Sequence, residues 1–232
     1  MNILGIILAR GGSKEVPRKN LLKIGDKTLV ELAIHSANDS KLLSRTIFST
    51  DDSEIFQVAE MAGAYLPFIR PKELALDNSS SFSVVKHAVE WLKSNDNWQA
   101  DIIVILQPTT PFRTGKHIDD VIELMLKENS DAAITVRKPD YPPFWMLELD
   151  SKQKITNLIE DGNKFLRRQD TPEVFQPAGL VYALKNKVLE KMDTILPFGD
   201  TRGLVVSEND AINIDTYMHY ELAKLIYKKN NE

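Results

Sequence analysis

The sequence predicts an open α/β fold with a mostly parallel central sheet, and three observations lead to this prediction. First, short apolar runs alternate with amphipathic segments from the start of the chain. Second, the runs are apolar at nearly every position, which is typical of strands buried on both faces of a parallel sheet. Third, the segments between them repeat apolar residues every three or four positions, which indicates helices. Such alternation indicates βαβ units with right-handed crossovers.

The predicted elements follow one another regularly through the first part of the chain. Strands are predicted at residues 3–9, 46–48, 102–106 and 132–136. Helices are predicted at residues 28–37, 81–93 and 116–127, because each of these segments carries one apolar face. In the second helix that face consists of Val85, Ala88, Val89 and Leu92.

The pattern changes after Val136. Residues 137–178 have weak periodicity and scattered charge, and they contain Pro139, Pro142, Pro143, Pro172 and Pro177. Within them, the alternation at residues 144–149 predicts an exposed strand or hairpin. We therefore predict that 137–178 is an inserted dimerisation arm, whose aromatic residues cover a partner subunit. Strands at 180–183 and 204–206 and a helix at 216–229 complete one domain that spans residues 1–232.

Composition excludes several functional classes. The chain has 232 residues, with 29 Lys and Arg against 33 Asp and Glu, so its formal net charge is −4. A mildly acidic chain without a basic tract is a poor candidate for nucleic-acid binding. The absence of cysteine excludes a disulfide framework, a thiolate nucleophile and cysteine-ligated metals. Because no apolar run approaches the roughly 20 residues of a membrane span, we expect a soluble, cytoplasmic protein.

The loop after the first strand is the strongest candidate for a ligand site, because ligands bind at the carboxyl ends of strands in an open α/β sheet. Residues 10–20 contain four basic side chains and one acidic side chain, a charge of +3. Gly11 and Gly12 let the backbone approach a ligand, and Arg10, Lys14 and Lys19 can neutralise phosphate oxygens. The loop matches neither the P-loop nor the G-x-G-x-x-G pattern. The alternative is a solvated basic turn.

This loop resembles the nucleotide-binding signature of the acylneuraminate (CMP-sialic acid) cytidylyltransferases, which reads A-R-x-x-S-K-x-x-P-x-K-N. The matching residues are Ala9, Arg10, Ser13, Lys14, Pro17, Lys19 and Asn20. Further motifs of that family have counterparts here in the same order, so the resemblance spans essentially the whole chain. They are Ser49-Thr50-Asp51, Arg70 to Ala75 followed by Asp77 and Ser79 to Ser81, Leu106 to Arg113, Arg168, the Gly179 turn, and Ile214-Asp215-Thr216.

The resemblance implies a Rossmann-like sheet of nucleotide-sugar transferase type and a CTP-dependent activation of a sialic-type (nonulosonic) sugar acid. In that reaction the anomeric hydroxyl attacks the α-phosphorus of CTP, and pyrophosphate leaves. Positioning and charge neutralisation dominate such catalysis, and Mg²⁺ is the expected cofactor. A homodimer is the expected assembly.

Residue roles are implied by the same resemblance. Arg10, Lys14 and Lys19 would hold the triphosphate as catalytic residues. The nucleotide-binding residues would be Ala9, Gly11, Gly12, Ser13, Asn20, Ser81 and Gln107. The substrate-binding residues would be Arg70, Arg168 and Gln176, with Arg168 paired to the sugar-acid carboxylate. Asp215 and Asn213 would offer oxygen atoms to Mg²⁺, which prefers one or two protein carboxylates plus phosphate oxygens.

Three residues depart from the family pattern. Gln176 stands where an arginine is usual, so one cation is lost. Asn213 stands in an I-N-I-D segment where I-D-I-D is usual, which removes one unit of ligand charge. Glu15 adds a negative charge beside the phosphates where glycine is usual. These changes affect the identity of the sugar more than the nucleotidyl transfer, and a legionaminic- or pseudaminic-type acid or a sugar phosphate is compatible with them.

Simpler roles stay open for several of these residues. Arg70 could cap a surface loop, one of Asp77 and Ser79 to Ser81 could cap the following helix, and Asp215 could cap the last helix. Helix capping is the preferred role of Asp52. The histidines lie singly on helix-like segments, where a structural role is expected. Two other functions stay open: a nucleotidyltransferase acting on a sugar 1-phosphate with another NTP, and a non-catalytic nucleotide-binding subunit.

Overall fold

A computed structural model describes residues 1–76, 79–191 and 199–231 of the chain. Within them the strands are β1 (Ile3–Leu8), β2 (Lys23–Ile24), β3 (Lys27–Thr28), β4 (Arg45–Ser49), β5 (Ile102–Leu106), β6 (Ala132–Arg137), β7 (Leu147–Leu149), β8 (Ile155–Asn157), β9 (Gln176–Lys185) and β10 (Thr201–Val205). The helices are α1 (Leu29–Asn38), α2 (Ser53–Met61), α3 (Ser81–Asn95), α4 (Gly115–Lys127) and α5 (Tyr217–Asn231). None of these helices is long and apolar enough to cross a membrane.

The central sheet has the strand order β10-β6-β9-β5-β1-β4. β1 pairs in parallel with both β4 and β5, and β10 pairs in parallel with β6. β9 runs antiparallel to β5, with Tyr182 opposite Ile105. The sheet is therefore open and mostly parallel, as the sequence pattern predicted, but the antiparallel direction of β9 was not foreseen.

Helices cover both faces of this sheet. Ile3 and Ile7 of β1 pack with residues of α1, α2 and α4, whereas Leu4 and Ile6 of the same strand pack with residues of α3. Successive side chains of a strand point to opposite faces, so one strand contributes to both cores. Burial on both faces explains why β1 is apolar at every position instead of alternating.

Capping side chains fix the starts of α2 and α3. Asp52 caps α2, because its carboxylate accepts hydrogen bonds from the N–H groups of Glu54 at 3.0 Å and Ile55 at 2.9 Å. This confirms the role predicted for Asp52. Ser80 caps α3, since its hydroxyl accepts from the N–H of Ser83 at 3.1 Å.

Residues Arg137–Gln176 form a compact unit of their own, apart from the unit made by Met1–Val136 and Pro177–Glu232. This second unit ends two residues before the end predicted for the insertion, because β9 begins at Gln176. β7 and β8 pair antiparallel, so the segment predicted as a strand or hairpin forms a hairpin. Large apolar side chains are exposed on this unit, among them Tyr141, Met146, Leu147, Leu149, Ile155, Leu158, Leu166 and Phe175. The dimerisation role of the unit stays a prediction.

Candidate active site

A cavity of about 590 Å³ opens at the carboxyl ends of β1 and β5. Leu8, the last residue of β1, and Gln107, which follows β5, both line it. The other lining residues are Arg10, Ser13, Lys14, Glu15, Val16, Lys19, Asn20, Arg70, Leu74, Leu76, Ser79, Ser81, Val84, Pro108, Thr109 and Asp215. The cavity therefore lies where open α/β sheets bind their ligands.

The loop that follows β1 supplies most of the predicted ligand-binding side chains. Arg10, Ser13, Lys14, Lys19 and Asn20 all line the cavity. Asn20 is buried, and its Nδ2 donates to the carbonyl oxygen of Arg10 at 2.9 Å. This bond ties the two ends of the loop together, so the cationic side chains project from a closed turn.

Three residues that were assigned to the nucleotide are not among the described residues that line the cavity. Ala9 is buried in the hydrophobic core beside β1. The N–H of Gly11 donates to Oδ1 of Asp51 at 3.0 Å, so it faces the loop after β4. Gly12 is exposed.

Asp215 lies in the cavity and contacts the cationic loop. Its Oδ1 accepts from Nζ of Lys19 at 3.0 Å, and its Oδ2 accepts from Nδ2 of Asn213 at 2.8 Å. At the start of α5, the hydroxyl of Thr216 accepts from the N–H of His219 at 3.3 Å. Thr216 therefore performs the capping that was the alternative role of Asp215.

The Asp215 carboxylate in the cavity is a hard oxygen donor that fits Mg²⁺ bound together with a nucleotide. The amide oxygen of Asn213 is buried and has no hydrogen-bond partner among the described residues. The amide faces the Asp215 carboxylate with Nδ2 and not with this oxygen, and Asn213 is not among the described residues that line the cavity, so the oxygen would become a second hard donor of the type that Mg²⁺ prefers only if the amide turned over. The described part of the chain holds no group of three His, Cys, Asp or Glu residues suited to a metal ion. Phosphate oxygens and water would therefore have to complete the coordination.

Arg70 brings a buried cation to the cavity. Only 5 % of the residue is exposed, and its Nε donates to the hydroxyl of Ser49 at 3.0 Å while its Nη2 donates to the carbonyl of Ser49 at 2.6 Å. Burial lowers the pKa of Arg70 to about 10, and the nearby Asp51 carboxylate opposes this shift. Arg70 is therefore a buried residue bonded to Ser49. This differs from the alternative role that the sequence left open, in which Arg70 would cap a surface loop.

The start of α3 adds hydroxyl groups to the cavity wall. Ser81 lines the cavity, as does Ser79, whose hydroxyl donates to the carbonyl of Glu73 at 2.7 Å. Because Ser80 is the residue that caps α3, Ser81 is left for another role. Asp77, which the sequence motif included with these serines, lies outside the described residues.

Gln107 lies in the cavity on a loop that Arg113 anchors. Nη1 of Arg113 donates to the carbonyl oxygens of Gln107 at 2.7 Å and Leu180 at 3.1 Å. Its Nε donates to the hydroxyl of Ser36 at 3.1 Å. The guanidinium is buried, and loss of solvation lowers the pKa of Arg113 to about 9. One side chain therefore joins the Gln107 loop to α1 and β9.

Sequence reasoning missed the apolar wall of the cavity and two of its hydroxyl-bearing residues. The lining residues that it did not select are Leu8, Val16, Leu74, Leu76, Ser79, Val84, Pro108 and Thr109. Leucine and valine in this position cannot be told from core residues by type, and only their place within or next to the quoted motifs could have suggested them. An apolar wall next to a cationic loop suits a ligand that carries both a ring and anionic groups.

Positive charge predominates in the cavity. The charged lining residues are Arg10, Lys14, Lys19, Arg70, Glu15 and Asp215. Among the described lining residues, four cations against two carboxylates leave a local charge of +2, in a chain whose net charge is −4. Such a site attracts polyanions, and arginine and lysine donors match phosphate oxygens well.

Two residues that were assigned to the sugar belong to the second unit. Arg168 is exposed, donates from Nη2 to the carbonyl of Pro139 at 3.1 Å, and lines a cavity of about 380 Å³ within that unit. The amide oxygen of Gln176, oriented by its hydrogen bonds, accepts from Nε of Arg137 at 2.8 Å and from Nη2 at 2.6 Å. Arg137 also pairs with Asp140 at 3.1 Å. A guanidinium therefore accompanies Gln176, although the sequence has lost the arginine at position 176 itself.

Comparisons with known sequences identify relatives of this chain. The profile of the family described as Cytidylyltransferase matches residues 4–196. The pseudaminic acid cytidylyltransferase of Campylobacter jejuni serotype O:2 is 33 % identical over 100 % of this chain and 99 % of its own length. The N-acylneuraminate cytidylyltransferase of Escherichia coli O18:K1:H7 is 30 % identical over 99 % of this chain and 53 % of its own length. The CMP-N,N'-diacetyllegionaminic acid synthase of Legionella pneumophila is 27 % identical over 100 % of this chain and 99 % of its own length.

Solved structures confirm the fold. The CMP:2-keto-3-deoxy-manno-octonic acid synthetase complexed with CTP superposes with a TM-score of 0.71 at 16 % identity, over 99 % of this chain and all of the other. The 4-diphosphocytidyl-2C-methyl-D-erythritol synthase of Anaerococcus prevotii gives a TM-score of 0.64 at 14 % identity, over 98 % of this chain and 96 % of the other. The predicted α/β architecture with a mostly parallel sheet is therefore correct.

Proposed function

The chain belongs to the cytidylyltransferase family, and we propose that it transfers CMP from CTP to the anomeric hydroxyl of a nonulosonic acid. The hydroxyl oxygen forms a bond to the α-phosphorus, and the bond from that phosphorus to the oxygen of the departing pyrophosphate breaks. The hydroxyl proton leaves to solvent. A pseudaminic-type acid is the first choice of substrate, because two relatives of that name are 33 % and 32 % identical over the whole chain.

The observation that carries this proposal is the meeting of the cationic loop with Asp215 in one cavity at the sheet edge. The reaction leaves negative charge on pyrophosphate, so a site that lowers its barrier needs fixed cations at the phosphates. Arg10, Lys14 and Lys19 fill that role in the proposal, and Arg70 adds a cation whose position is fixed by Ser49. The proposed nucleotide contacts are Ser13, Asn20, Ser81 and Gln107.

Mg²⁺ is the cofactor in this proposal, with Asp215 and the amide oxygen of Asn213 as its protein ligands. When bound, Mg²⁺ supplies charge neutralisation at the phosphate oxygens. The chain's own contribution is to hold the carboxylate close to the phosphate-binding lysine. Support comes from the position of Asp215 in the cavity and from its contact with Lys19. Asn213 would join it by turning its unpartnered amide oxygen towards the metal.

The sugar-acid carboxylate is assigned to Arg168, and its placement stays a prediction. The alternative that the acceptor is a sugar 1-phosphate was raised by the loss of an arginine at Gln176. The hydrogen bonds from Arg137 to Gln176 weaken that argument, because a guanidinium is present there. The names of the relatives also favour a sugar acid and an active enzyme.

A homodimer that works in the cytoplasm completes the proposal. The exposed apolar side chains of the second unit support an interface between copies of this chain. The cytoplasmic location follows the sequence-based expectation, which rests on the lack of an apolar run long enough for a membrane span and on the lack of cysteine. Light scattering after size-exclusion chromatography should give twice the monomer mass for the wild type and the monomer mass for Leu166→Glu, whose leucine is 85 % exposed. A monomeric wild type would refute the dimer.

The function is tested by pyrophosphate release with purified protein, Mg²⁺, each of the four NTPs, and a panel of acceptors. The panel contains pseudaminic, legionaminic and sialic acids and two sugar 1-phosphates. We expect turnover with CTP and a nonulosonic acid, and a CMP-sugar of the corresponding mass. Turnover with only a sugar 1-phosphate, or with no acceptor despite tight CTP binding, would overturn the proposal in favour of one of the two alternatives.

A further inference from the structure

We infer that Asp51 and Asp52, on the loop after β4, are positioning residues that hold the phosphate-binding loop in the conformation that receives the nucleotide. The inference deepens the proposed function, on which it rests for the identity of the ligand. Neither aspartate is among the residues that line the cavity. Each instead contacts the loop that does.

Asp51 fixes the backbone at the start of the loop. Its Oδ1 accepts a hydrogen bond from the N–H of Gly11 at 3.0 Å, and Gly11 directly follows the cavity-lining Arg10. A carboxylate that accepts from a backbone N–H forms a charge-assisted bond, which is stronger than a neutral one. This bond commits the Gly11 N–H to Asp51, so the loop contributes its side chains to the cavity and not this amide.

Asp52 supports the same loop at two further points. Gly11 lies against it so closely that a Cβ added to Gly11 would be 2.6 Å from Oδ2 and 2.7 Å from Cβ of Asp52. Arg18, near the other end of the loop, donates from Nη1 to Oδ2 of Asp52 at 2.5 Å and from Nη2 to Oδ1 at 3.2 Å. Arg18 also pairs with Glu54. The loop is therefore attached to the start of α2 at both of its ends.

The contacts of Arg18 explain why one cation of the loop does not face the cavity. Arg18 contributes to the +3 charge of residues 10–20, yet it is not among the lining residues, while Arg10, Lys14 and Lys19 are. Its backbone adopts the left-handed conformation, with φ 55° and ψ 29°, which is uncommon for a residue other than glycine. The bidentate contact with Asp52 opposes the cost of that conformation and turns the guanidinium towards α2.

A loop held in this way binds its ligand without a prior ordering step. If the loop occupied its binding conformation only part of the time, the apparent dissociation constant would rise by the inverse of that fraction. Saturating nucleotide would still fill the site, so the turnover number would change little. Loss of Asp51 or Asp52 should therefore raise the dissociation constant and KM for CTP more than it lowers kcat.

The test uses the full-length variants Asp51→Ala, Asp51→Asn, Asp52→Ala and Arg18→Ala. Calorimetry with CTP and Mg²⁺ should show affinity about tenfold weaker for the three variants that lose a contact, as expected for a hydrogen bond to a charged group. Asp51→Asn keeps an oxygen that can accept from the Gly11 N–H, so it should restore affinity to within about twofold. The kcat of each variant should stay within about threefold of the wild type.

Asp119→Ala is the matched control. Asp119 also binds backbone N–H groups of a neighbouring loop, those of Lys41 at 3.0 Å and Leu42 at 3.2 Å, and does not line the cavity. Its removal should lower Tm as Asp51→Ala does, and leave the affinity for CTP unchanged. An equal loss of affinity in Asp119→Ala, or wild-type affinity in Asp51→Ala and Asp52→Ala, would overturn the inference.

Limited trypsin digestion without nucleotide tests the inference separately from the proposed function. The loop contains Arg10, Lys14, Arg18 and Lys19, and mass spectrometry identifies each cleavage. Asp51→Ala should be cleaved within residues 10–20 several times faster than the wild type, and Asp119→Ala should not. Failure of the wild type to bind CTP would refute the proposed function alone, whereas an unchanged cleavage rate in Asp51→Ala would refute the inference alone.

Discussion

Nζ of Lys19 donates to Oδ1 of Asp215 at 3.0 Å, so the loop after β1 meets the segment before α5 although 196 residues separate them in the chain. The side chain of Lys19 is 16 % exposed and that of Asp215 is 56 % exposed. Such a partly solvated pair adds only about 0–1 kcal/mol to stability. The pair matters for position and not for stability. It holds a lysine that is suited to phosphate beside a carboxylate that is suited to a cation.

Lys14→Ala should lower turnover by roughly two to three orders of magnitude, because a cation fixed at the phosphates stabilises charge that the transition state redistributes. Steady-state pyrophosphate release measures this effect. The midpoint of thermal unfolding should change little, since Lys14 is exposed. Lys116→Ala is the control, because Lys116 is also exposed, pairs with Asp120 and does not line the cavity. Loss of folding in Lys14→Ala with normal activity of its soluble fraction would contradict this prediction.

Asp215→Ala should abolish Mg²⁺-dependent turnover, whereas Asn213→Asp should keep or strengthen the affinity for Mg²⁺. The first change removes the carboxylate from the oxygen pair, and the second adds a unit of negative charge to it. Titration of activity with Mg²⁺ at saturating CTP gives both results. If Asp215→Ala titrates like the wild type, Asp215 is not a metal ligand.

Gly11→Ala should raise KM for CTP roughly tenfold, because overpacking against Asp52 costs about 1–3 kcal/mol and is relieved by moving the loop. The new Cβ would be 2.6 Å from Oδ2 of Asp52. The neighbouring glycine provides the control: a Cβ at Gly12 meets nothing within 4 Å, so Gly12→Ala should leave KM nearly unchanged. Equal kinetics of the two variants would show that the close contact has no bearing on nucleotide binding.

Arg113→Ala should lower the free energy of unfolding by about 3 kcal/mol, because several buried acceptors lose their donor together. These acceptors include the carbonyl oxygens of Gln107 and Leu180 and the hydroxyl of Ser36. Urea unfolding followed by circular dichroism measures the change. Arg167→Ala removes a 72 % exposed side chain and should cost less than about 0.5 kcal/mol. Similar values for the two variants would contradict the anchoring role of Arg113.

Asp52→Asn should make stability less sensitive to acid. The hydrogen bond from Arg18, helped by the N–H groups at the start of α2, holds the pKa of Asp52 below its ordinary value of 3.8. The folded state therefore gains stability from this group above the unfolded pKa and loses it as the pH falls through the folded pKa. The free energies of unfolding of the variant and the wild type should be measured from pH 7 to pH 3. The difference between them should become smaller as the pH falls. A constant difference between the two curves would contradict this origin.

The sequence by itself predicts much of the fold and part of the site. Strands such as β1 and β5 are apolar throughout because they are buried on both faces, and that composition can be read without coordinates. The position of the cationic loop at the end of β1 follows from the same pattern. Arg10, Lys14 and Lys19 could be selected because phosphate demands fixed positive charge, and these three do line the cavity.

Only the tertiary structure decided which groups of the loop face the cavity and which residues from other segments contact the loop. Gly11 and Arg18 belong to the same loop as Lys14, yet they contact Asp51 and Asp52, whose approach depends on the pairing of β1 with β4. The apolar wall, the antiparallel β9 and the buried Arg113 likewise depend on contacts between distant segments. Local sequence determines propensity, charge and periodicity, whereas the direction of a side chain in a loop depends on the neighbour that packing brings against it.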